Sequence, residues 1–336
     1  MRLAVYSHRR YEAPFLTDAA AERGIELLTI DASLSPVTAP LARGCGAVSI
    51  FVGDDASAPC LAMLADGGTR LIALRCAGFN HVDLVAAERL GIAVARVPAY
   101  SPHAVAEHAI ALMMALNRKV HRAFNRVREQ DFSLDGLMGF DMHGKTAGIV
   151  GTGEIGTVAC QILAGFGCRV IAHDPKPNPR CEALGVRYVS MPDLLRQSDV
   201  ISLHCPLTPL THHMIGTDAL AAMRPGVMLV NTSRGGVIDT RALIRALKDG
   251  RIGAVGLDVY EEEGDLFFRD LSESVIQDDV FVRLMTFPNV LITAHQAFLT
   301  REACTAIARI TMQNVTAFRD GALPPAHIVD TRMIAR

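Results

Sequence analysis

Short apolar runs rich in β-branched residues recur along the chain at 3–6, 47–52, 71–76 and 92–97, and again at 147–150, 170–173, 200–203, 227–231, 255–259 and 290–293. Within each run the apolarity is nearly continuous and does not alternate. A strand with one wet face alternates, so continuous apolarity predicts strands buried on both faces, in parallel sheets covered by helices. Between the runs lie helix-compatible stretches. This order predicts two doubly wound α/β domains, four strands in the first and six in the second.

Helical periodicity marks the boundary. Ser101-Pro102 puts a capping residue before a proline suited to the first helical position. Val105, Ala109, Leu112, Met113, Leu116 and Val120 then follow helical spacing, predicting one long helix that leaves the first domain and enters the second. After residue 293, Thr300 can cap another helix carrying Ala303, Ile307, Ile310 and Asn314 on one face, expected to cross back to the first domain. The tail from residue 323, with Pro324-Pro325, reads as a loose extension.

The most specific motif is Gly151-Thr152-Gly153-Glu154-Ile155-Gly156. A strand pattern at 146–150 precedes it, a helical one follows at 157–166, and a second strand at 169–173 ends on Asp174. In such a βαβ unit Gly151 makes the tight turn, Gly153 has no Cβ to block a pyrophosphate, and Gly156 lets helix and strand pack closely. The helix N-terminus offers N–H groups and a positive dipole end to phosphate. Asp174, 18 residues beyond Gly156, suits the ribose hydroxyls of NAD and repels a 2′-phosphate.

Composition narrows the remaining classes. Half of the residues are hydrophobic, one in five is charged and the net charge is −2, which describes a globular protein without a basic field for nucleic acid. No apolar run reaches the roughly 18 residues of a membrane span, and the first residues begin a strand in place of a secretion signal. The eight cysteines are scattered without CxxC pairs and read as reduced core thiols of a cytoplasmic protein, with no metal site.

Ligands bind beyond the carboxyl ends of parallel strands. There the second domain carries Cys205-Pro206, Thr232-Ser233-Arg234, Asp258, the acids Glu261, Glu262 and Glu263, and His295. The first presents Phe51, Ala77-Gly78 and Tyr100 at its own strand ends, and a small substrate is expected in a cleft between the domains. Arginine grips a carboxylate with a planar fork of donors. Histidine exchanges a proton with a carbonyl oxygen, and a neighbouring carboxylate favours its protonated form. Singly, the arginine reads as a surface residue, the acids as a solvated loop and the histidine as core or catalytic with equal weight. Together, beyond one cofactor-binding sheet, they describe reversible reduction of a 2-oxo acid. Blander readings suffice for His108 (an interface residue), His212-His213 (a poor metal pair), and Asp54-Asp55 and Asp278-Asp279 (solvated loop acids).

The stretches ALRCAGFN (73–80), RVPAY (96–100), AVAEH (104–108), KTAGIVGTG (145–153), DVISLHCPLTP (199–209), VNTSRG (230–235), DVYE (258–261), DLFF (265–268) and HQAFLT (295–300) resemble the D-2-hydroxyacid dehydrogenases over essentially the whole chain. The resemblance implies Rossmann- and flavodoxin-like domains: a substrate domain of residues 1–100 plus 299–336, and a cofactor domain of 101–298. It implies Arg234 as clamp for substrate carboxylate and carbonyl, His295 as acid/base and Glu263 as its partner, five residues after Asp258. Ala77 and Gly78 are implied to give N–H groups to the substrate carboxylate, with Tyr100 nearby. Cys205, Pro206, Thr232, Ser233 and Asp258 join the glycine motif at the cofactor. The reaction implied is NAD-dependent interconversion of pyruvate and D-lactate in a homodimer or homotetramer. Phe51 and Phe298, expected beside the substrate side chain, favour a methyl group over larger ones. Two alternatives stand beside this: a dehydrogenase of larger 2-oxo acids, and an NADH-sensing, corepressor-like binding protein.

Overall fold

The computed structural model describes residues 1–333, Asp265 by its backbone alone. The chain divides into two compact units, Met1–Ser101 with Leu299–Arg336, and Pro102–Phe298.

In the first unit five parallel strands, β1 (Arg2–Val5), β2 (Glu26–Thr29), β3 (Ala47–Ile50), β4 (Leu71–Leu74) and β5 (Ala93–Ala95), lie in the order β2-β1-β3-β4-β5. In the second, β6 (Thr146–Val150), β7 (Arg169–His173), β8 (Arg187–Tyr188), β9 (Val200–Leu203), β10 (Val227–Asn231), β11 (Ile252–Leu257) and β12 (Val290–Ile292) form a seven-stranded parallel sheet. Its order, β12-β11-β10-β9-β6-β7-β8, reverses direction between β6 and β9. That reversal is the switch point at which doubly wound sheets bind ligands. One further strand, β13 (Ile328–Val329), pairs antiparallel with β5 and closes the first sheet to six strands.

The pleat explains why continuous apolar runs became central strands. Along β4, Ile72 and Leu74 join the core on one face of the first sheet while Leu71 and Ala73 join the core on the other. Along β10, Leu229 and Val230 likewise go to opposite cores. Burying each such leucine or valine contributes roughly 1.5–3 kcal/mol. The helix Pro102–Arg118 lays Ala106, Ala109, Leu112, Met113 and Leu116 on one core of the second sheet. The helix Arg301–Arg319, capped by Thr300, lays Ala308, Met312 and Val315 on the first.

Three elements depart from the expectation. β2, β8 and β13 add to the strand count: β8 and β13 have two residues each, and neither β2 nor β8 has a fully buried residue. The tail is not loose, because β13 within it pairs with β5. Val120 is not on the long helix. That helix stops at Arg118, Lys119 turns left-handed at φ 52°, and a second helix, Val120–Arg128, begins with Val120 57% exposed.

Candidate active site

The glycine turn follows β6 at the switch point. Gly151 has φ +92°, and a Cβ there would stand 2.8 Å from the Cys205 nitrogen. A Cβ on Gly156 would meet the Gly151 oxygen at 2.0 Å, whereas one on Gly153 would meet nothing within 4 Å. Two of the glycines are therefore required by close packing, and the third faces open space. The helix Glu154–Gly165 starts there with no side-chain cap, so its first N–H groups and dipole end stay available to an anion. The exposed Glu154 carboxylate is turned to Arg180, 2.9 Å away, and Ile155 is half-buried against the core.

Asp174 is already tied to this turn: the Thr152 N–H donates to one carboxylate oxygen at 2.7 Å and the Lys176 N–H to the other at 2.8 Å. The Tyr188 hydroxyl donates to Thr152 Oγ1 at 2.8 Å, and Asn178 Nδ2 to the Thr152 carbonyl at 2.9 Å. Across the switch point, Thr232 Oγ1 is buried without a hydrogen-bond partner, and so is Nδ1 of His204. Burial lowers the His204 pKa to about 4, keeping the ring neutral, and pushes the Cys205 thiol up to about 11. Open backbone donors, an unsatisfied hydroxyl and a fixed acid fit a dinucleotide.

Three strand ends, those of β10, β11 and β12, carry the remaining groups. After β10, Asn231 pins a tight turn: its Oδ1 accepts from the Ser233 N–H (3.0 Å) and hydroxyl (2.7 Å), and its Nδ2 donates to the Arg234 carbonyl (2.9 Å). Arg234 spends one donor, Nη1, on the Ser233 carbonyl at 2.7 Å and is half-buried. After β12, His295 donates from Nδ1 to Glu263 Oε1 at 2.8 Å. The second Glu263 oxygen accepts from the Tyr260 N–H at 3.1 Å, so the carboxylate is held from both sides. Among the described residues Nε2 of His295 has no hydrogen-bond partner. The Phe268 ring lies 5.8 Å from the imidazole.

His295 sits at φ 52°, a left-handed conformation costly to a residue with a Cβ. Asp258 at the end of β11 holds it there. Its carbonyl accepts from the His295 N–H at 2.8 Å, and its carboxylate accepts from the N–H groups of Gln296 and Ala297, both at 2.9 Å, and from the Thr293 hydroxyl at 2.6 Å. His108 in turn donates from Nε2 to Thr293 Oγ1 at 3.0 Å, tying the long helix to the histidine loop.

The three consecutive acids part company. Glu263 meets His295, Glu262 is exposed, and Glu261 pairs with His213 and accepts from the Thr240 N–H at 3.0 Å. Phe51, Ala77, Gly78 and Tyr100 lie in the first unit, whereas Pro206 and the buried Phe298 lie in the second.

Two acids read as solvated are structural. Asp54 is 2% exposed and accepts from the N–H groups of Phe51 (2.6 Å) and Leu34 (2.7 Å) and from the Ser7 hydroxyl (2.7 Å). Its three partners are distant in sequence or bonded through backbone, so no local pattern marks it. Asp278 caps the helix Asp279–Met285 and accepts from the Tyr260 hydroxyl at 2.7 Å; an acid just before an apolar-periodic stretch is a legible cap. Asn231, whose amide grips the backbone of Ser233 and Arg234, and Tyr260, whose own N–H holds Glu263, carry no local sequence signal for these roles.

A parallel sheet with a dinucleotide turn at its switch point, and with an arginine after one strand and a carboxylate-paired histidine after another, marks a class of oxidoreductase. Residues 110–297 match the family model described as D-isomer specific 2-hydroxyacid dehydrogenase, NAD binding domain. The chain is 54% identical to the D-lactate dehydrogenase of Escherichia coli K12 over 98% of its own length and 100% of the relative's. The apo-structure of D-lactate dehydrogenase from Escherichia coli superposes with a TM-score of 0.90 at 52% identity, covering 98% of this chain and 100% of that one. The NAD-complexed D-isomer specific 2-hydroxyacid dehydrogenase of Lactobacillus delbrueckii ssp. bulgaricus gives 0.81 at 32% identity, covering 98% and 100%. The chain belongs to the D-2-hydroxyacid dehydrogenase family, and it is an NAD-dependent enzyme. No helix among the described residues is long and apolar enough to cross a membrane.

Proposed function

We propose that the enzyme interconverts pyruvate and D-lactate, with His295 as acid/base, Glu263 as its support and Arg234 as the substrate clamp. The observation that carries this reading is the 2.8 Å hydrogen bond from His295 Nδ1 to Glu263. With Nδ1–H committed to the carboxylate, the ring is fixed in orientation and its exchangeable proton belongs on Nε2. Arg234 keeps donors beyond the one given to Ser233, enough to grip a carboxylate in a planar fork. The bound nicotinamide supplies the hydride. Gly151, Gly153, Glu154, Ile155, Gly156 and Asp174 are assigned to hold it with Cys205, Pro206, Thr232, Ser233 and Asp258. Ala77 and Gly78 are assigned to the substrate carboxylate, and Phe51, Tyr100 and Phe298 to the rest of the substrate. The D hand and the preference for pyruvate are inferred from the lactate dehydrogenases among the relatives.

A spectrophotometric assay of NADH oxidation over a panel of 2-oxo acids tests this. Pyruvate is expected to give the highest kcat/KM, with D-lactate on chiral chromatography. A larger 2-oxo acid in first place would overturn the lactate assignment, and L-lactate would overturn the stereochemical one.

We also propose a homo-oligomer. The helix Val120–Arg128 buries no residue and exposes Val120, Phe124 and Val127, and beyond it Phe132, Leu134 and Met138 are exposed too, an apolar stretch suited to a subunit contact. Light scattering behind size exclusion should return a dimer or tetramer mass. A cytoplasmic home fits the free cysteines.

A further inference from the structure

We propose that Arg96 is a positioning residue that turns the Ala77–Gly78 peptide so that two successive N–H groups face one anion. The inference rests on the reading of Ala77 and Gly78 as donors to the substrate carboxylate, and says what in this chain makes them so.

A peptide group is planar and trans, so the N–H of one residue points opposite to the carbonyl of the residue before it. In the loop after β4 both relevant carbonyls are held by the segment that follows β5. The Cys76 carbonyl accepts from the Val97 N–H at 3.1 Å, and the Ala77 carbonyl accepts from Arg96 Nη1 at 3.1 Å. The N–H groups of Ala77 and Gly78 therefore both point away from Arg96 and Val97. Neither has a hydrogen-bond partner among the described residues. The next peptide is restrained as well, since the Cys76 thiol donates to the Gly78 carbonyl at 3.2 Å. Adjacent unpaired N–H groups held on one side form an anion-binding concavity.

Of these pins, only that on the Ala77 carbonyl comes from a charged side chain. A guanidinium donating to a carbonyl polarises the amide and strengthens the N–H at its other end. Arg96 is itself held firmly. Its guanidinium lies 5.5 Å from the Phe79 ring centroid, its N–H donates to the His327 carbonyl at 2.8 Å, and its carbonyl accepts from Asn314 Nδ2 at 3.0 Å. Its Nε is buried and without a partner, so the residue does more desolvating than a surface arginine would need. Without the pin the peptide is free to flip, which would present the Ala77 carbonyl where the Gly78 N–H had been. An acceptor in that place repels a carboxylate.

The test uses the full-length enzyme with Arg96→Met and Arg96→Lys. It measures kcat and KM for pyruvate, the inhibition constant of oxamate (a carboxylate-bearing analogue that is not reduced), and NADH affinity by fluorescence. In Arg96→Met, KM and the oxamate constant should rise together by about 10- to 100-fold, the scale of one lost hydrogen bond to a charged group. NADH affinity should stay within twofold, and Arg96→Lys, still a cationic donor, should recover part of the loss. If Arg96→Met does not fold, Arg96→Gln, too short to reach Ala77, should show the same split. Wild-type KM and oxamate constants in the variant overturn the proposal. So does a loss confined to kcat, NADH affinity and thermal stability, which is what a merely structural arginine would give. Failure of the underlying reading looks different: wild-type enzyme would then not reduce pyruvate, or Arg234→Lys would leave oxamate binding unchanged.

Discussion

Asp258→Asn isolates what holds the catalytic histidine in place. The carboxylate is fully buried and accepts from the Thr293 hydroxyl and the N–H groups of Gln296 and Ala297, the two residues after His295. His295 pays for its φ of 52° with about 1–2 kcal/mol of strain. Hydrogen bonds to a charged acceptor contribute about 1.5–3 kcal/mol each, so three of them outweigh that strain. Asparagine has one acceptor oxygen, and its NH2 group faces a donor. At least one buried N–H is left unsatisfied, at about 1–3 kcal/mol, comparable to the strain it had offset. His295 then leaves its conformation in an appreciable fraction of molecules, and kcat/KM should fall by about 5- to 150-fold on the scale of 1.36 kcal/mol per tenfold.

Stability gives an independent readout of the same substitution. Burial alone raises the Asp258 pKa, but the His108 ring 3.4 Å away and the hydrogen bonds from Thr293, Ala297 and Gln296 more than offset it, so the carboxyl is held below its usual range. A depressed folded-state pKa contributes stability that is present above the unfolded value, about 3.9, and lost as pH falls through the folded one. The thermal-melting gap between wild type and Asp258→Asn should therefore be widest near neutral pH and close below about pH 4. Steady-state kinetics, NADH titration and melting curves at several pH values check this. Wild-type kcat, or a melting gap indifferent to pH, would refute the argument. A variant weakened mainly in NADH affinity would instead make Asp258 a cofactor residue first.

His295→Gln should lower turnover by about 10²–10⁴-fold, the scale of general acid catalysis, with NADH binding nearly intact. Glu263→Gln replaces the charged acceptor 2.8 Å from Nδ1 with a neutral one, so kcat should fall by about tenfold with NADH affinity intact; an unchanged kcat would dissociate the pair. Arg234→Lys keeps the charge and loses the fork, raising KM and lowering kcat; near-normal kinetics would leave it a surface residue. Asp174→Ser removes the acid that the Thr152 and Lys176 N–H groups orient, so the ratio of NADPH to NADH efficiency should rise by tenfold or more, about 1.4 kcal/mol; an unaltered ratio would put discrimination elsewhere.

Much of the molecule was legible because the signals are local. Burial on both sheet faces demands continuous apolarity, so β3, β4, β6, β9 and β10 announce themselves one residue after another. Among the edge strands, β12 still carries such a run, whereas β8 and β13 have only two residues each and β2 is only half-buried, so these three lack the mark. The glycine run was legible because strand, turn, helix and acid follow one another in the chain and their chemistry depends on that adjacency. It was also plain that an arginine, several acids and a histidine follow strands of one sheet.

Apart from the family resemblance, which singled out Glu263, nothing in the sequence says which group serves which. Glu261, Glu262 and Glu263 are chemically identical, and only the turn after β11 sends one to His295, one to His213 and Thr240, and one to solvent. Asp54 and Asp258 look like any loop acids, yet each is the hub of hydrogen bonds to residues 20 to 47 positions away as well as near ones. Their partners are largely backbone N–H groups, which every residue but proline carries and no sequence displays. The chain's own order of apolar, glycine and ionisable residues thus determined the two sheets, the dinucleotide turn and the set of groups able to do chemistry. The pairing among those groups was decided by tertiary structure, because hydrogen bonds act over about 3 Å and only the folded backbone brings distant residues that close.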